Sequence, residues 1–100
     1  METITDKTIL DDIIKQLCKN DTDSQCRAYA NYDDGNIYID ATVVWEYQES
    51  ENWVVFEGRR YYEGTYTDVV GWDDLQVDAW IGDNKAEVDI DYIEKNLIKD

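Results

Sequence analysis

The chain has 100 residues, with 24 Asp and Glu against 9 Lys and Arg, no histidine and a formal net charge of −15. This balance is repelled by nucleic acid and anionic membranes and favours basic protein surfaces or hard cations. The missing histidine removes imidazole acid–base chemistry and the usual nucleophile triads. Four Trp, eight Tyr and one Phe separate it from acidic disordered segments, which are poor in aromatic residues. The length suits a single domain over residues 1–100, with one core.

Met1 to Asp6 holds no basic region followed by an apolar run, so no secretory signal is expected. No stretch approaches the roughly 18 apolar residues of a spanning helix, and the expected location is cytoplasmic. From Thr8 the spacing turns helical. Ile9, Leu10, Ile13, Ile14 and Leu17 share one face, while Asp11, Asp12, Lys15, Gln16 and Lys19 occupy the other. An amphipathic helix of about four turns is expected, capped by Asp6 or Thr8, with Lys15 and Lys19 where its dipole favours cations. Cys18 and Cys26 are too few for a disulfide scaffold and are expected to be reduced.

After the polar segment from Asn20 to Gln25 the period becomes two. Cys26 to Tyr32 reads as a strand, and Asp33-Asp34-Gly35-Asn36 as a hairpin turn. The next strand alternates Ile37, Ile39, Ala41, Val43, Trp45 and Tyr47 with Tyr38, Asp40, Thr42, Val44, Glu46 and Gln48. Glu49-Ser50-Glu51-Asn52 reads as a second turn. Trp53 to Glu57 reads as a third strand, with a bulge or tight turn at Gly58.

Leu75, Val77, Ala79 and Ile81 then alternate with Gln76, Asp78 and Trp80. A turn at Gly82-Asp83-Asn84-Lys85 leads to Ala86, Val88 and Ile90 alternating with Glu87, Asp89 and Asp91. A short C-terminal helix follows, with Asp91 as cap, Glu94 three residues on, and Ile93 and Leu97 docking it. The expected fold class is α+β: an N-terminal amphipathic helix, an antiparallel sheet of about five strands in meander order, and a short C-terminal helix. One sheet face is expected to lie under the first helix, with the second helix at an end or edge.

Charge is unevenly placed. Residues 28–84 hold 13 acidic residues against two basic ones, Arg59 and Arg60, for a net of −11. Alternate carboxylates on a strand lie about 6.6 Å apart, of the order of the gap between successive phosphates of a nucleic-acid strand. This spacing points to a non-enzymatic acidic module that binds a basic protein by imitating nucleic acid in the groove of a nucleic-acid-binding protein. In size and charge, though in no motif, the chain resembles small acidic inhibitors that phages and mobile elements direct at restriction and CRISPR systems. A solvated face kept acidic for solubility explains the same charge. The candidate partner-binding residues are Asp40, Glu46, Asp78, Trp80, Glu87 and Asp89.

Aromatic residues offer an alternative function, the capture of a peptide or other ligand through rings exposed on the sheet. Trp45, Tyr47, Trp53, Tyr61, Tyr62, Tyr66, Trp72 and Trp80 exceed the needs of one small core, yet most are expected inside it. Trp80 shares its parity with Gln76 and Asp78, so it lies under the C-terminal helix or forms an exposed anchor. Arg59 and Arg60 either neutralise Glu57 and Glu63 and stack on tyrosine, or form a specificity point.

No cofactor or metal is implied. Asp21-Thr22-Asp23-Ser24-Gln25 opens like a calcium loop, but Cys26 and Tyr32 stand where an EF-hand needs glycine and glutamate. A phosphate-cradling glycine loop and a nucleophile elbow are both missing, and carboxylates are too numerous for any pair to mark a glycosidase. No enzymatic activity is expected.

Overall fold

The computed structural model describes residues 2–98. Strand β1 (Thr3–Ile4) precedes helix α1 (Lys7–Lys19), and strands β2 (Arg27–Asp33), β3 (Ile37–Phe56), β4 (Arg59–Ile81) and β5 (Asn84–Val88) lead to helix α2 (Ile90–Lys95). The class is α+β, with one five-stranded sheet in the order β1-β5-β4-β3-β2. Strands β2 to β5 are antiparallel neighbours in chain order, whereas β1 pairs parallel with β5 through Thr3–Glu87 and Ile4–Val88. The sheet is therefore mixed rather than a pure antiparallel meander, because its fifth strand is this two-residue piece ahead of α1.

Helix α1 begins where the Asp6 carboxylate accepts the Thr8 amide at 2.9 Å. Its buried face is Ile9, Leu10, Ile13, Ile14, Leu17 and Cys18. Each large aliphatic side chain there contributes about 1.5–3 kcal/mol on burial. Opposite it, the sheet offers small residues. All five alanines of the chain, Ala28, Ala30, Ala41, Ala79 and Ala86, are buried on the core face. Those on β2 and β3, Ala28, Ala30 and Ala41, let the helix approach these strands closely, while Ile39, Val43 and Trp45 fill the space around them. Trp45 donates its indole N–H to the Leu17 carbonyl at 3.1 Å, satisfying one of the carbonyls that a helix C-terminus leaves unpaired. Neither Cys18 nor Cys26 is in a disulfide.

Helix α2 is capped by Asp89 rather than Asp91, since β5 stops at Val88 and the Asp89 carboxylate accepts the Tyr92 amide. Ile93 and Leu97 enter the core, and the Tyr92 hydroxyl donates to Asp11 at 2.6 Å.

The expected turn at Glu49 to Asn52 is strand. Strand β3 runs unbroken to Phe56, reverses through Glu57 and Gly58, and returns as β4. Both turn residues have positive φ, 53° and 75°, as a two-residue turn of type I′ requires. Strand β2 reaches no further along β3 than Trp45, and β5 pairs only with Ala79 to Ile81 of β4, so from Glu46 outward the hairpin is a free two-stranded arm. Its 11 residues of β3 span about 36 Å, which accounts for principal extents of 67 × 23 × 19 Å. Strand β4 has 23 residues and β3 has 20. The excess is absorbed by three bulges on β4, around Glu63, Val70 and Asp74-Leu75. Asp74 adopts φ 49° there.

Most of the aromatic residues expected in the core lie outside it. Trp45 is buried; Tyr47, Trp72 and Trp80 are half-buried, and Trp53, Tyr61, Tyr62 and Tyr66 are exposed. The reason is geometric: the last four sit on the arm, where no third strand or helix covers either face.

Candidate functional site on the open sheet face

Alternation along the strands sends Ile37, Ile39, Ala41 and Val43 towards α1 and sends Tyr38, Asp40, Thr42 and Val44 to the opposite face. Register then aligns the outward residues. Tyr38 faces Trp80, Asp40 faces Asp78 and Thr42 faces Gln76 across β3 and β4, while Asn31 faces Asp40 across β2 and β3. Asp40 and Asp78 are both exposed, with α-carbons about 4.5–5.5 Å apart as directly opposed residues. Like charges so placed are destabilising.

Trp80 does not lie beneath α2. Its ring is 5.5 Å from that of Tyr38, tilted by 51°, and the Lys85 ammonium sits 5.7 Å from its centroid. Lys85 also pairs with Asp78 at 3.4 Å. Strands β4 and β5 pair only from Ala79 to Ile81. Beyond Ala79 they part to form an open cleft of about 500 Å³, lined by Val77, Asp78, Lys85, Glu87, Val88 and Ile90 among others.

Four of the six sequence candidates, Asp40, Asp78, Trp80 and Glu87, thus gather around β4. Glu46 lies on β3 about 20 Å from Asp40, at the root of the arm opposite Gly71. Asp89 caps α2. Sequence reading paired neither Tyr38 with Trp80 nor Lys85 with Asp78, and these contacts depend on a register that composition does not encode.

A turn at the β2 end of this face is held by Asp23. Its carboxylate accepts the amides of Gln25 (2.8 Å) and Arg27 (3.0 Å), the Arg27 Nε (3.1 Å) and the Tyr29 hydroxyl (2.7 Å). The Tyr29 bond, followed by the Arg27 amide, holds its pKa well below the ordinary carboxylate range. The same bond raises the Tyr29 hydroxyl above its ordinary value. Asp34 is lowered by the amides of Ile37 and Asn36 in the β2–β3 turn.

Among the described residues, no group of three or more His, Cys, Asp or Glu side chains is placed to hold a metal ion. No helix there is long and apolar enough to cross a membrane. The arm was missed as a unit, although Glu57-Gly58 between Trp53-Val54-Val55-Phe56 and Tyr61-Tyr62 is a two-residue hairpin signal. Arg60 stacks on Trp53 at 5.2 Å, and Trp53 packs on Tyr62 at 5.3 Å. Among the described residues, neither Arg59 nor Arg60 forms an ion pair. The chain matches no protein-family model, no curated protein and no solved structure.

Proposed function

We propose that the protein is a non-enzymatic binding module whose open sheet face engages a basic protein surface, in the manner of a nucleic-acid mimic. The observation that carries this reading is the direct opposition of Asp40 and Asp78, offset only at Asp78 by the exposed Lys85, on a face that neither helix covers. Cations from a partner relieve that repulsion, so binding energy is gained at the place where the free protein is least content. Glu87 extends the acidic strip across the cleft, and the Tyr38–Trp80 pair adds an apolar anchor beside it. A groove built to receive phosphates presents Lys and Arg at comparable spacing, and its affinity for such a strip falls steeply with salt.

The test is capture of basic nucleases and repressors by the immobilised protein at low and high salt, with nuclease activity followed in parallel. Salt-sensitive capture with loss of nuclease activity is expected, and Asp40→Asn with Asp78→Asn should abolish both. Capture indifferent to salt, or no inhibition of any such enzyme, overturns the reading. The second reading, ligand capture through sheet aromatics, is favoured by the exposed rings of Trp53, Tyr61, Tyr62 and Tyr66. Salt separates the two, because apolar capture does not weaken as ionic strength rises.

A further inference from the structure

We infer that two copies of the chain pair antiparallel along the free β3 edges of their arms, across a two-fold axis at Asn52. A lone two-stranded ribbon is marginal in water, and this one presents a free edge with a definite length. The last β2 bond to β3 is Trp45 N–H to the Cys26 carbonyl at 2.8 Å. Among the described residues, no strand lies beside that side of β3 from Glu46 to Phe56. The alternation set by Trp45 aims the amides and carbonyls of Tyr47, Glu49, Glu51, Trp53 and Val55 at the open edge. All three bulges lie on β4, so the β3 edge is regular and the β4 edge is not. Regular, unprotected edges are templates for another strand.

The sequence of the edge selects its occupant and register. A two-fold axis normal to the sheet pairs residues whose numbers sum to a constant, and centres from 49 to 54 overlap most of the arm. Centres at Glu49, Ser50 and Glu51 set a glutamate directly opposite a glutamate, and centres at Trp53 and Val54 bring Glu57 of the turn up to Glu49 or Glu51; like charges so placed are destabilising. The centre at Asn52 alone avoids this: Glu51 meets Trp53, Glu49 meets Val55, Gln48 meets Phe56 and Tyr47 meets Glu57. It also makes the odd-numbered residues the hydrogen-bonded pairs, as the Trp45 alternation demands. About eight new backbone bonds result from the four pairs between Glu49 and Val55.

Charge along the arm fits the same arrangement. The tip carries Arg59 and Arg60, the only basic residues between Arg27 and Lys85, beside Glu57 and Glu63, while the root of β3 carries Glu46 and Glu49 with no basic residue near them in sequence. Antiparallel pairing brings each tip, with its two arginines, alongside Glu46 and Glu49 of the other copy, and stops it against residues 21–26 ahead of β2. The two bodies then sit at opposite ends of the paired arms, about 46 Å apart from Trp45 to Trp45, well beyond a Debye length of about 8 Å. Their mutual repulsion is therefore screened.

Sedimentation from low to high micromolar protein should show a monomer–dimer equilibrium. In a Cys26→Ser background, Asn52→Cys should form an intermolecular disulfide under mild oxidation, because opposed non-hydrogen-bonded residues approach to bridging distance. Ser50→Cys and Val54→Cys, each far from its own copy, should not. Glu49→Pro removes an amide that points away from β4, so it should dissolve the dimer while circular dichroism stays native. A monomer throughout, or a dimer neither locked by Asn52→Cys nor dissolved by Glu49→Pro, overturns the proposal. So does a monomer that instead adds a foreign extended peptide along β3.

Discussion

Asp40 and Asp78 occupy directly opposed positions on β3 and β4, and among the described residues only Asp78 of the two forms an ion pair, with Lys85 at 3.4 Å. This asymmetry ranks their substitutions. Asp40→Asn removes the repulsion and leaves the Lys85 contact intact, so it should stabilise the protein by about 0.2–1 kcal/mol at low ionic strength. Asp78→Asn should gain less, since it also removes the exposed pair with Lys85, itself a small contribution. Thermal unfolding at low and high salt checks both, and the gain should shrink as salt screens the pair. An equal effect of both substitutions at all salt concentrations would contradict this ranking.

Trp45 is the one aromatic ring that is both buried and hydrogen-bonded into α1, through the Leu17 carbonyl. Trp45→Phe keeps much of the apolar volume but leaves that carbonyl unsatisfied in the core, at a cost of about 1–3 kcal/mol. Trp45→Ala adds a cavity and should cost about 3–5 kcal/mol. Urea unfolding of both variants separates the two contributions. A loss below about 0.5 kcal/mol for Trp45→Phe would mean that water or a rotated carbonyl replaces the bond.

Where the sequence was legible, one signal had one reading. The period of Ile9, Leu10, Ile13, Ile14 and Leu17 located α1, and strict alternation from Ile37 to Tyr47 located the body of β3 with its core face. It failed where local chemistry competed with long-range pairing. Glu49-Ser50-Glu51-Asn52 has the composition of a turn because both faces of the arm are solvated, and β pairing tolerates polar residues on both sides. By spacing Asp91 is the better cap, with Glu94 three residues on, yet Asp89 is the one that caps α2. The choice between them depends on where β5 ends, and that is set by the parallel contact with Thr3 and Ile4. The candidate site was half legible: alternation put Asp40, Asp78 and Trp80 on one face, but only register made Asp40 and Asp78 opposites.

Acid stability should report on Asp23. Its pKa is lowered by the Tyr29 hydroxyl and the Arg27 amide, so its ionised form is favoured in the folded state over the unfolded one. A depressed carboxyl contributes stability that is present above its unfolded pKa of about 3.9 and is lost as pH falls through its folded value. Asp34, lowered by the Ile37 and Asn36 amides, acts in the same direction. Asp23→Asn should therefore lower stability at neutral pH and flatten the acid limb below about pH 4. Melting temperature against pH for the two proteins checks this, and parallel curves would remove Asp23 as the cause.

The tip of the arm makes the opposite kind of prediction, one that is local rather than global. Glu57 and Gly58 both hold positive φ, a conformation that costs a residue with a β-carbon about 1–2 kcal/mol. Glycine avoids that cost at Gly58, and Glu57 incurs it. Glu57→Asn should relieve part of the strain, because Asn-Gly suits a type I′ turn. Gly58→Val should add strain. No residue from Glu46 to Val70 belongs to the buried core, so neither change should move the main melting transition. Amide exchange from Ser50 to Tyr66 should slow in Glu57→Asn and quicken in Gly58→Val, since local opening responds to local stability. A matching shift of the whole melting curve would instead mean that the arm and the body unfold as one unit.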